Sequence, residues 1–183
     1  MGERGIPLRG SWNNTDQEEV GNFIHFVKWK AEYDNNLKEH LQNAKDNAKY
    51  TSPKIQNEII TLCETNIRNK IKQCMPKYWS LLADETTDCA TMEQVSVFAR
   101  FVNEFHEVCE EFLGFRKVSE MNANAITTAL LTAIEEWGLK DLEMVGQGYD
   151  GASLMSSSKN GVQRKIKGQF PNALYVHRAV TRS

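Results

Sequence analysis

The hydrophobic pattern of this sequence changes its period once, near Tyr78, and this change constrains the fold more than any other feature. Between about residues 16 and 49, apolar residues recur every three or four positions, which predicts one bent helix or two short ones. A second apolar stripe begins at Pro53, a residue type that suits the first turn of a helix, and stops before Pro76. The first part of the chain is therefore predicted to be helical.

After Tyr78 the pattern predicts strands. Residues 78–83 form a short, nearly continuous apolar run, typical of a strand buried on both faces, with Asp84 at its exposed end. Two alternating runs, over residues 94–101 and 108–118, predict antiparallel neighbours joined by a turn. The remaining predicted elements alternate between helix and strand: a helix from Asn122 to Gly138, a strand over 142–146, a glycine-interrupted helix to about Gly168 and a strand over 173–177.

This order of elements predicts an α/β fold, in which a mixed sheet of about five strands is flanked by helices and preceded by a helical segment. The predicted segments are a disordered lead-in over residues 1–15, a helical segment over 16–76, a sheet-containing domain over 77–177 and a tail over 178–183. The length of 183 residues suits one hydrophobic core.

Charge limits the functions that the chain can have. Lys and Arg total 22 against 24 Asp and Glu, a net charge of −2, whereas a self-sufficient DNA-binding protein normally has a basic surplus. Contact with DNA is therefore expected from a local patch, for which the candidates are Lys159, Arg164, Lys165 and Lys167. A solvated helix face explains this cluster equally well.

Cysteine spacing and hydropathy limit the cellular compartments in which the protein is expected. The cysteines at positions 63, 74, 89 and 109 are too widely spaced for a zinc knuckle, so no zinc site is expected. A secretory leader is not apparent, and no apolar run approaches the length that spans a bilayer. The sequence predicts a nuclear or cytoplasmic protein with reduced thiols and no membrane partner.

Two aspartates are the residues that the pattern singles out. Asp84 and Asp150 each follow a predicted strand and precede small or hydroxylated residues. If those strands are neighbours, the carboxylates converge at one sheet edge, where hard oxygen ligands bind Mg²⁺ or Mn²⁺ for phosphodiester chemistry. Glu85 and Asp88 lie in the same turn as Asp84 and are candidates for the outer shell of such a site.

Two other interpretations of these residues remain open at this point. Aspartate at the end of a strand often caps a turn by accepting hydrogen bonds from nearby backbone amides. Gly146, Gly148 and Gly151 also match the spacing of a dinucleotide-binding fingerprint. Against that fingerprint, Asp150 would put a negative charge in the loop that should hold a pyrophosphate.

Six motifs around these residues carry a resemblance to a known family. They occur in this order: YWSLLADETTD at 78–88, EQVS at 93–96, FLGF at 112–115, GQGYDGA at 146–152, NGVQ at 160–163 and ALYVH at 173–177. Together they resemble the domain of unknown function shared by hAT-transposon-derived proteins, which include zinc finger MYM-type proteins and relatives of the repressor of the inhibitor of the protein kinase. The resemblance extends from about Gly21 to His177.

The resemblance implies a fold similar to ribonuclease H and, in transposase members, an acidic triad that cuts and joins DNA with divalent metal. Asp84 matches the first acid and Asp150 the second, whereas the third, a glutamate, follows a large helical insertion and would lie beyond residue 183. After His177 the family usually continues with Cys, a small residue and a second His, and residues 178–183 depart from this. A truncated or frame-shifted copy is therefore expected.

These implications predict a hAT-transposase-derived fragment with an incomplete DDE-type catalytic domain, unable to cleave DNA or transfer strands by itself. The alternative is a domesticated protein–protein interaction module, with a nuclear regulatory or dimerisation role and no chemistry. Its support is the apolar stripe over residues 55–74 and a sheet whose unpaired edge could accept another strand. A protein partner or a homo-oligomer is expected on this second hypothesis.

Overall fold

The computed structural model describes residues 6–8, 21–87, 92–149 and 152–177 of the chain. The chain divides into two compact units, residues 1–66 and residues 67–183. The predicted tail, residues 178–183, and most of the predicted lead-in lie outside the described residues. The segment boundaries proposed from the sequence remain predictions.

The first unit contains short helices. Helix α1 spans Asn22–Ala31, helix α2 spans Asn35–Asn43, and a single 3-10 turn covers Asp46–Ala48. The Asp34 side chain accepts a hydrogen bond from the Leu37 amide and so caps α2. The apolar repeat before residue 49 therefore corresponds to two short helices, which is one of the two alternatives predicted from the sequence.

Helix α3 spans Pro53–Cys74 and begins and ends as its sequence predicts. The Ser52 hydroxyl accepts from the Ile55 amide at 3.3 Å, and Pro53 occupies the first helical position, where a missing N–H costs nothing. Much of its apolar stripe is exposed: Leu62 retains 68% of its accessible surface and Ile67 58%.

The second unit contains a five-stranded mixed sheet in the order β3-β2-β1-β4-β5. The strands are β1 Tyr78–Thr87, β2 Glu93–Val102, β3 Val108–Lys117, β4 Glu143–Tyr149 and β5 Leu174–His177. Strands β1, β2 and β3 pair antiparallel, while β4 is parallel to both β1 and β5. The predicted α/β class, mixed sheet and antiparallel hairpin are confirmed.

Strand β1 is the centre of the sheet. Leu81, Leu82 and Ala83 are successive buried residues with 0%, 6% and 0% exposure, as expected of a strand covered on both faces. The strand is longer than predicted, because β2 continues to pair with it as far as Thr87. The prediction that the strand stops at Asp84 was wrong, since Asp84 lies inside the paired strand.

Helix α4, Ala123–Glu136, confirms its predicted capping. The Asn122 side chain accepts from two amides of the first turn, and Gly138 ends the helix region with φ +66°, a conformation that glycine adopts without strain. Three of its residues, Ile126, Leu130 and Ile134, are buried in the same core as the apolar residues of β1 and β2. Helix α4 therefore covers one face of the sheet.

The glycine-interrupted helix predicted after β4 is two separate helices, which corrects the single helix expected. Helix α5 spans Ser153–Ser156 and helix α6 spans Val162–Gln169. Gly161 precedes α6, and a Cβ atom there would lie 2.6 Å from the backbone nitrogen and oxygen of Ser157. The chain folds back so closely at this point that only a residue without a side chain fits.

Replacing Leu81 by Ala is expected to lower the free energy of unfolding by about 2–5 kcal/mol, because it opens a cavity in the centre of the sheet. Leu174 is a matched control, since it is a strand leucine that is 63% exposed, and its replacement by Ala should change stability by less than about 0.5 kcal/mol. Urea denaturation of the three proteins measures both values. Equal losses in the two variants would contradict the central position of β1.

Candidate functional site

The parallel pairing of β1 and β4 defines the candidate site. Ser80 pairs with Gly146, and Leu82 pairs with Gly148. A Cβ atom at Gly146 would lie 2.5 Å from the Ser80 hydroxyl, and one at Gly148 would lie 2.6 Å from a Leu82 methyl. The glycines therefore let the side chains of β1 lie across β4. Because the two strands run in the same direction, their carboxyl ends lie at one edge of the sheet.

Asp84 lies near this edge, two residues beyond the last described β1–β4 pair. It is half-buried and stands opposite Ser96 of β2, whose hydroxyl donates to the Asp84 backbone carbonyl at 3.0 Å. Strand alternation assigns Asp84 to the same sheet face as Ser80 and Leu82. This face is the one opposite α4.

The other predicted acids are placed differently. Asp150 and Asp88 lie outside the described residues. Glu85 is half-buried, and alternation along β1 assigns it to the face opposite that of Asp84. Within residues 21–87, 92–149 and 152–177, no three acidic, histidine or cysteine side chains come together as a metal site. The metal-binding roles of Asp84, Asp150, Glu85 and Asp88 therefore remain predictions.

Gln147 holds the neighbouring elements against β4, a role that the sequence pattern did not reveal. It is 1% exposed, and its side-chain nitrogen donates to the Gln163 carbonyl at 3.1 Å and the Ala173 carbonyl at 3.2 Å. These bonds tie α6 and the start of β5 to the strand that leads to Asp150. The available signal for this role was a glutamine between two glycines in a strand, because a buried side-chain amide needs hydrogen-bond partners.

Tyr149 is the last described residue of β4 and is fully buried. Burial, with a smaller contribution from Tyr175, raises its pKa well above the usual value for a phenol. The ring centroids of Tyr149 and Tyr175 lie 6.2 Å apart, and the Tyr149 hydroxyl has no hydrogen-bond partner among the described residues. Tyr149 therefore stays neutral and adds no negative charge beside the predicted acid.

The dinucleotide hypothesis does not fit the observed position of its glycines. That fingerprint needs its glycines in the tight turn between a strand and a helix. Gly146 and Gly148 instead lie within β4 and are paired with both neighbouring strands. The third glycine, Gly151, lies outside the described residues. In β4 the first two glycines permit close strand packing.

The predicted basic cluster lies on and beside α6. Val162 and Ile166 are buried and anchor the helix, while Lys159, Arg164 and Lys167 are exposed and Lys165 is half-buried. Helix α6 packs against α4 and is tied to Gln147, so it belongs to the helical layer of the sheet. The structure therefore does not place these cations on the sheet face of Asp84.

A second cationic cluster was not predicted from the sequence. The guanidinium groups of Arg68 and Arg116 lie 4.6 and 4.5 Å from the centroid of the Trp137 ring. Arg68 also donates to the Leu113 carbonyl at 3.0 Å, and Arg116 pairs with Glu136 at 2.6 Å. Contacts of this kind join the end of α3 to β3 and α4. Nothing in the local pattern marks them, because the residues are distant in sequence.

This strand order, with an antiparallel hairpin on one side of a central strand and parallel strands on the other, is that of an RNase-like α/β domain. The chain belongs to the family described as DUF4371: ZMYM1/FAM200, RNase-like domain, whose model matches residues 1–161. This assignment confirms the family resemblance drawn from the six motifs.

Two curated relatives are similar to this chain over most of its length. The human and mouse proteins named 52 kDa repressor of the inhibitor of the protein kinase are each 28% identical to it in an alignment of 184 positions, gaps included, that covers 96% of this chain. The matched part is 24% of each relative, so the chain spans about a quarter of their length. In the part of the chain that the structure describes, no helix is long and apolar enough to cross a membrane.

Replacing Tyr149 by Phe tests the environment at the end of β4. Because the lost hydroxyl is buried without a described partner, the variant should be as stable as the parent at pH 7, or up to about 1 kcal/mol more stable. Unfolded tyrosine ionises near pH 10, whereas the raised pKa keeps folded Tyr149 neutral. The parent should therefore lose stability from Tyr149 as the pH rises above about 10, and the variant should lack that loss.

Urea denaturation at pH 7 and at alkaline pH measures this difference. Tyr78→Phe is the matched control, since Tyr78 is a strand tyrosine with 52% exposure. The same alkaline change in both variants would contradict a buried phenol at Tyr149.

Proposed function

We propose that this chain is a hAT-transposase-derived RNase-like domain in which Asp84 and Asp150 bind one divalent cation, Mg²⁺ or Mn²⁺. The observation that carries the proposal is the parallel pairing of β1 with β4. Asp84 lies near the carboxyl end of β1, and Asp150 follows the last residue of β4 in the sequence. Neighbouring parallel strands bring such residues to one edge of a sheet.

The register of the two strands supports the same pair of acids. Gly146 and Gly148 are each numbered 66 above their partners in β1, Ser80 and Leu82. Applying the same difference to Asp84 gives position 150. We therefore expect the two carboxylates to be direct neighbours across the strands, within reach of a single ion. Two carboxylates so close repel each other unless a cation or a proton lies between them.

A single pair of acids binds a cation but does not complete a cutting site. Phosphodiester cleavage of this type uses oxygen ligands around two ions about 3.5–4 Å apart. The family resemblance assigns the third carboxylate to a glutamate beyond residue 183, and Glu85 is assigned to the other face of β1. We propose that residues 1–183 bind metal without cleaving DNA, and that cleavage requires a carboxylate from another chain or segment.

Binding to DNA is proposed to be weak. The net charge of −2 offers little neutralisation of phosphate, which supplies most non-specific affinity. The exposed cations on and beside α6, Lys159, Arg164 and Lys167, are proposed as the local contacts to a DNA backbone. We propose a nuclear or cytoplasmic location, as predicted from the cysteine spacing and the hydropathy of the sequence.

Titration with Mn²⁺, followed by the loss of its free-ion EPR signal, tests the acid pair. Asp84→Asn and Asp150→Asn should each weaken binding at least about tenfold, because each removes one of two charged ligands. Asp141→Asn is the matched control, since Asp141 is exposed and precedes β4 at its opposite end. Equal Mn²⁺ affinity in all four proteins would remove the site, and cleavage of DNA by the unmodified chain would contradict the proposed lack of activity.

A protein–protein interaction role is the second candidate function. The observation that favours it is the exposure of two adjacent aromatic side chains on β3, Phe112 and Phe115, whose ring centroids lie 4.9 Å apart. On α3, Leu62 and Ile67 are exposed as well. Contiguous apolar surface, as on β3, usually marks a contact with another molecule. The two functions are compatible, because the acids and the apolar surface involve different side chains.

A further inference from the structure

One face of the sheet carries large apolar side chains that are exposed. Helices α4 and α6 pack on the opposite face, where Trp79, Leu81 and Ala83 are buried. The uncovered face is formed by the alternate residues of the strands. Its exposed apolar members are Tyr78, Val102, Val108, Phe112, Phe115, Leu174 and Val176, with exposures between 42% and 63%.

Three phenylalanines form a ridge on one half of this face. The ring centroids of Phe98 and Phe112 are 5.3 Å apart, and those of Phe112 and Phe115 are 4.9 Å apart. Phe112 and Phe115 would face opposite sides of a regular strand. The pairing shifts by one residue between Val97 and Phe98, which leaves Leu113 as an extra residue and brings both rings to one face. We call Phe98, Phe112 and Phe115 the aromatic ridge.

The other half of the face contains a hollow. Gly146 and Gly148 have no side chains, and beside them lies a cavity of about 410 Å³. Its other lining residues are Ser80, Leu82, Arg100, Gln147, Val176 and His177. A second cavity of about 440 Å³ adjoins it at Ser80 and runs along the other end of the same strands. We call the first cavity the glycine hollow. The ridge lies on the β2–β3 side of β1, and the hollow lies on the β4–β5 side.

We propose that this face is a self-association surface, on which a second copy of the chain packs face to face about a two-fold axis near β1. Such an axis exchanges the two sides of the sheet, so that the aromatic ridge of each copy enters the glycine hollow of the other. Bulky residues opposite small ones are how facing sheets interdigitate. This shape is complementary to itself, which an isologous dimer requires.

The size of the face suits a dimer. The area of the face follows from standard strand geometry, with five strands about 4.8 Å apart and a length of eight residue steps, from Tyr78 to Thr86. These dimensions give roughly 600 Å² per copy, or roughly 1,200 Å² for the two copies together. A specific interface needs about 1,000 Å² or more in total. The area is sufficient for a moderate dimer.

The charges on the face also permit a second copy. Near its centre, Arg100 pairs with Glu110 of the neighbouring strand at 2.9 Å, so the two charges cancel locally. This ion pair therefore does not oppose a second copy. Asp84 lies on the same face of β1, near one end, so an axis near β1 brings the two Asp84 carboxylates towards each other and their repulsion weakens the dimer. A polyanion such as DNA would gain little from this largely apolar surface.

Addition of a strand at the edge of the sheet is less suited to the structure. Strand β3 is the long edge strand, and it is interrupted at the extra residue Leu113, whose carbonyl already accepts from Arg68. Bulges and occupied backbone groups of this kind protect edge strands from pairing. The face, and not the edge, is therefore the surface that we assign to the second copy.

Sedimentation velocity of the full chain over a wide concentration range tests the proposal. The parent should show a reversible monomer–dimer equilibrium. Phe112→Lys on the ridge and Val176→Lys beside the hollow should each raise the dimer dissociation constant at least about tenfold, since each puts a charge into an apolar contact. Tyr33→Lys is the matched control, because Tyr33 is 72% exposed just after α1, outside every surface assigned to a partner, and is expected to leave the equilibrium unchanged.

The proposed geometry is tested separately by cross-linking. In a background with Ser at all four cysteine positions, a bismaleimide that spans about 10 Å, the usual separation of facing sheets, should join a mixture of Phe112→Cys and Val176→Cys chains mainly into a mixed dimer. Thermal unfolding followed by circular dichroism verifies that each variant is folded, and Phe112 and Val176 are exposed enough to be replaced without loss of the core.

Three outcomes would overturn the proposal. The first is a parent chain that stays monomeric at every concentration, which would leave the face to a different protein or to a further segment of a longer polypeptide. The second is a dimer that persists in both lysine variants or is broken by Tyr33→Lys. The third is the absence of the mixed cross-linked dimer. Metal binding by the acids is measured independently, so failure of either proposal does not decide the other.

Discussion

The structure depends on the parallel contact between β1 and β4. This pair joins the antiparallel hairpin to the helix-linked strands, and two residues without side chains, Gly146 and Gly148, lie where the strands meet. Gly146 and Gly148 lie under the side chains of Ser80 and Leu82 at distances that any added carbon would violate without a shift. Parallel pairing joins segments that are far apart in the sequence, so its contacts must be favourable enough to offset a large closure entropy. The same pairing brings the carboxyl ends of β1 and β4 to one edge of the sheet.

The sequence predicts those elements whose stability comes from their own residues. The capping side chain of Asn122, the stop at Gly138 and the proline start of α3 act within a few residues, and the structure confirms all three. The apolar run before Asp84 likewise marks the buried part of β1. Local chemistry is visible in a single sequence because it does not require knowledge of distant partners.

Features that depend on distant partners were not predictable. Strand β1 continues through polar residues to Thr87 because β2 offers it backbone partners, which no hydrophobic pattern reveals. The alternation over residues 108–118 identifies β3 but does not reveal that Leu113 is an extra residue in the pairing. Because of this extra residue, Phe115 lies on the same face as Phe112. The candidate site was predicted as two acids at strand ends, and the neighbouring strands are found, while Asp150 lies outside the described residues.

The acid edge and the uncovered face are physically linked, because Asp84 belongs to the same face as the aromatic ridge. Asp84 stands opposite Ser96, and Ser96 stands opposite Phe115, so the carboxylate lies about two strand spacings, roughly 10 Å, from the ridge. Any molecule that covers the ridge also removes water from the neighbourhood of this carboxylate, which raises the free energy of its charged form. A cation bound as proposed would offset that cost. If a partner docks on the face and a cation binds at the edge, the two events are thermodynamically coupled, and each strengthens or weakens the other by the same factor.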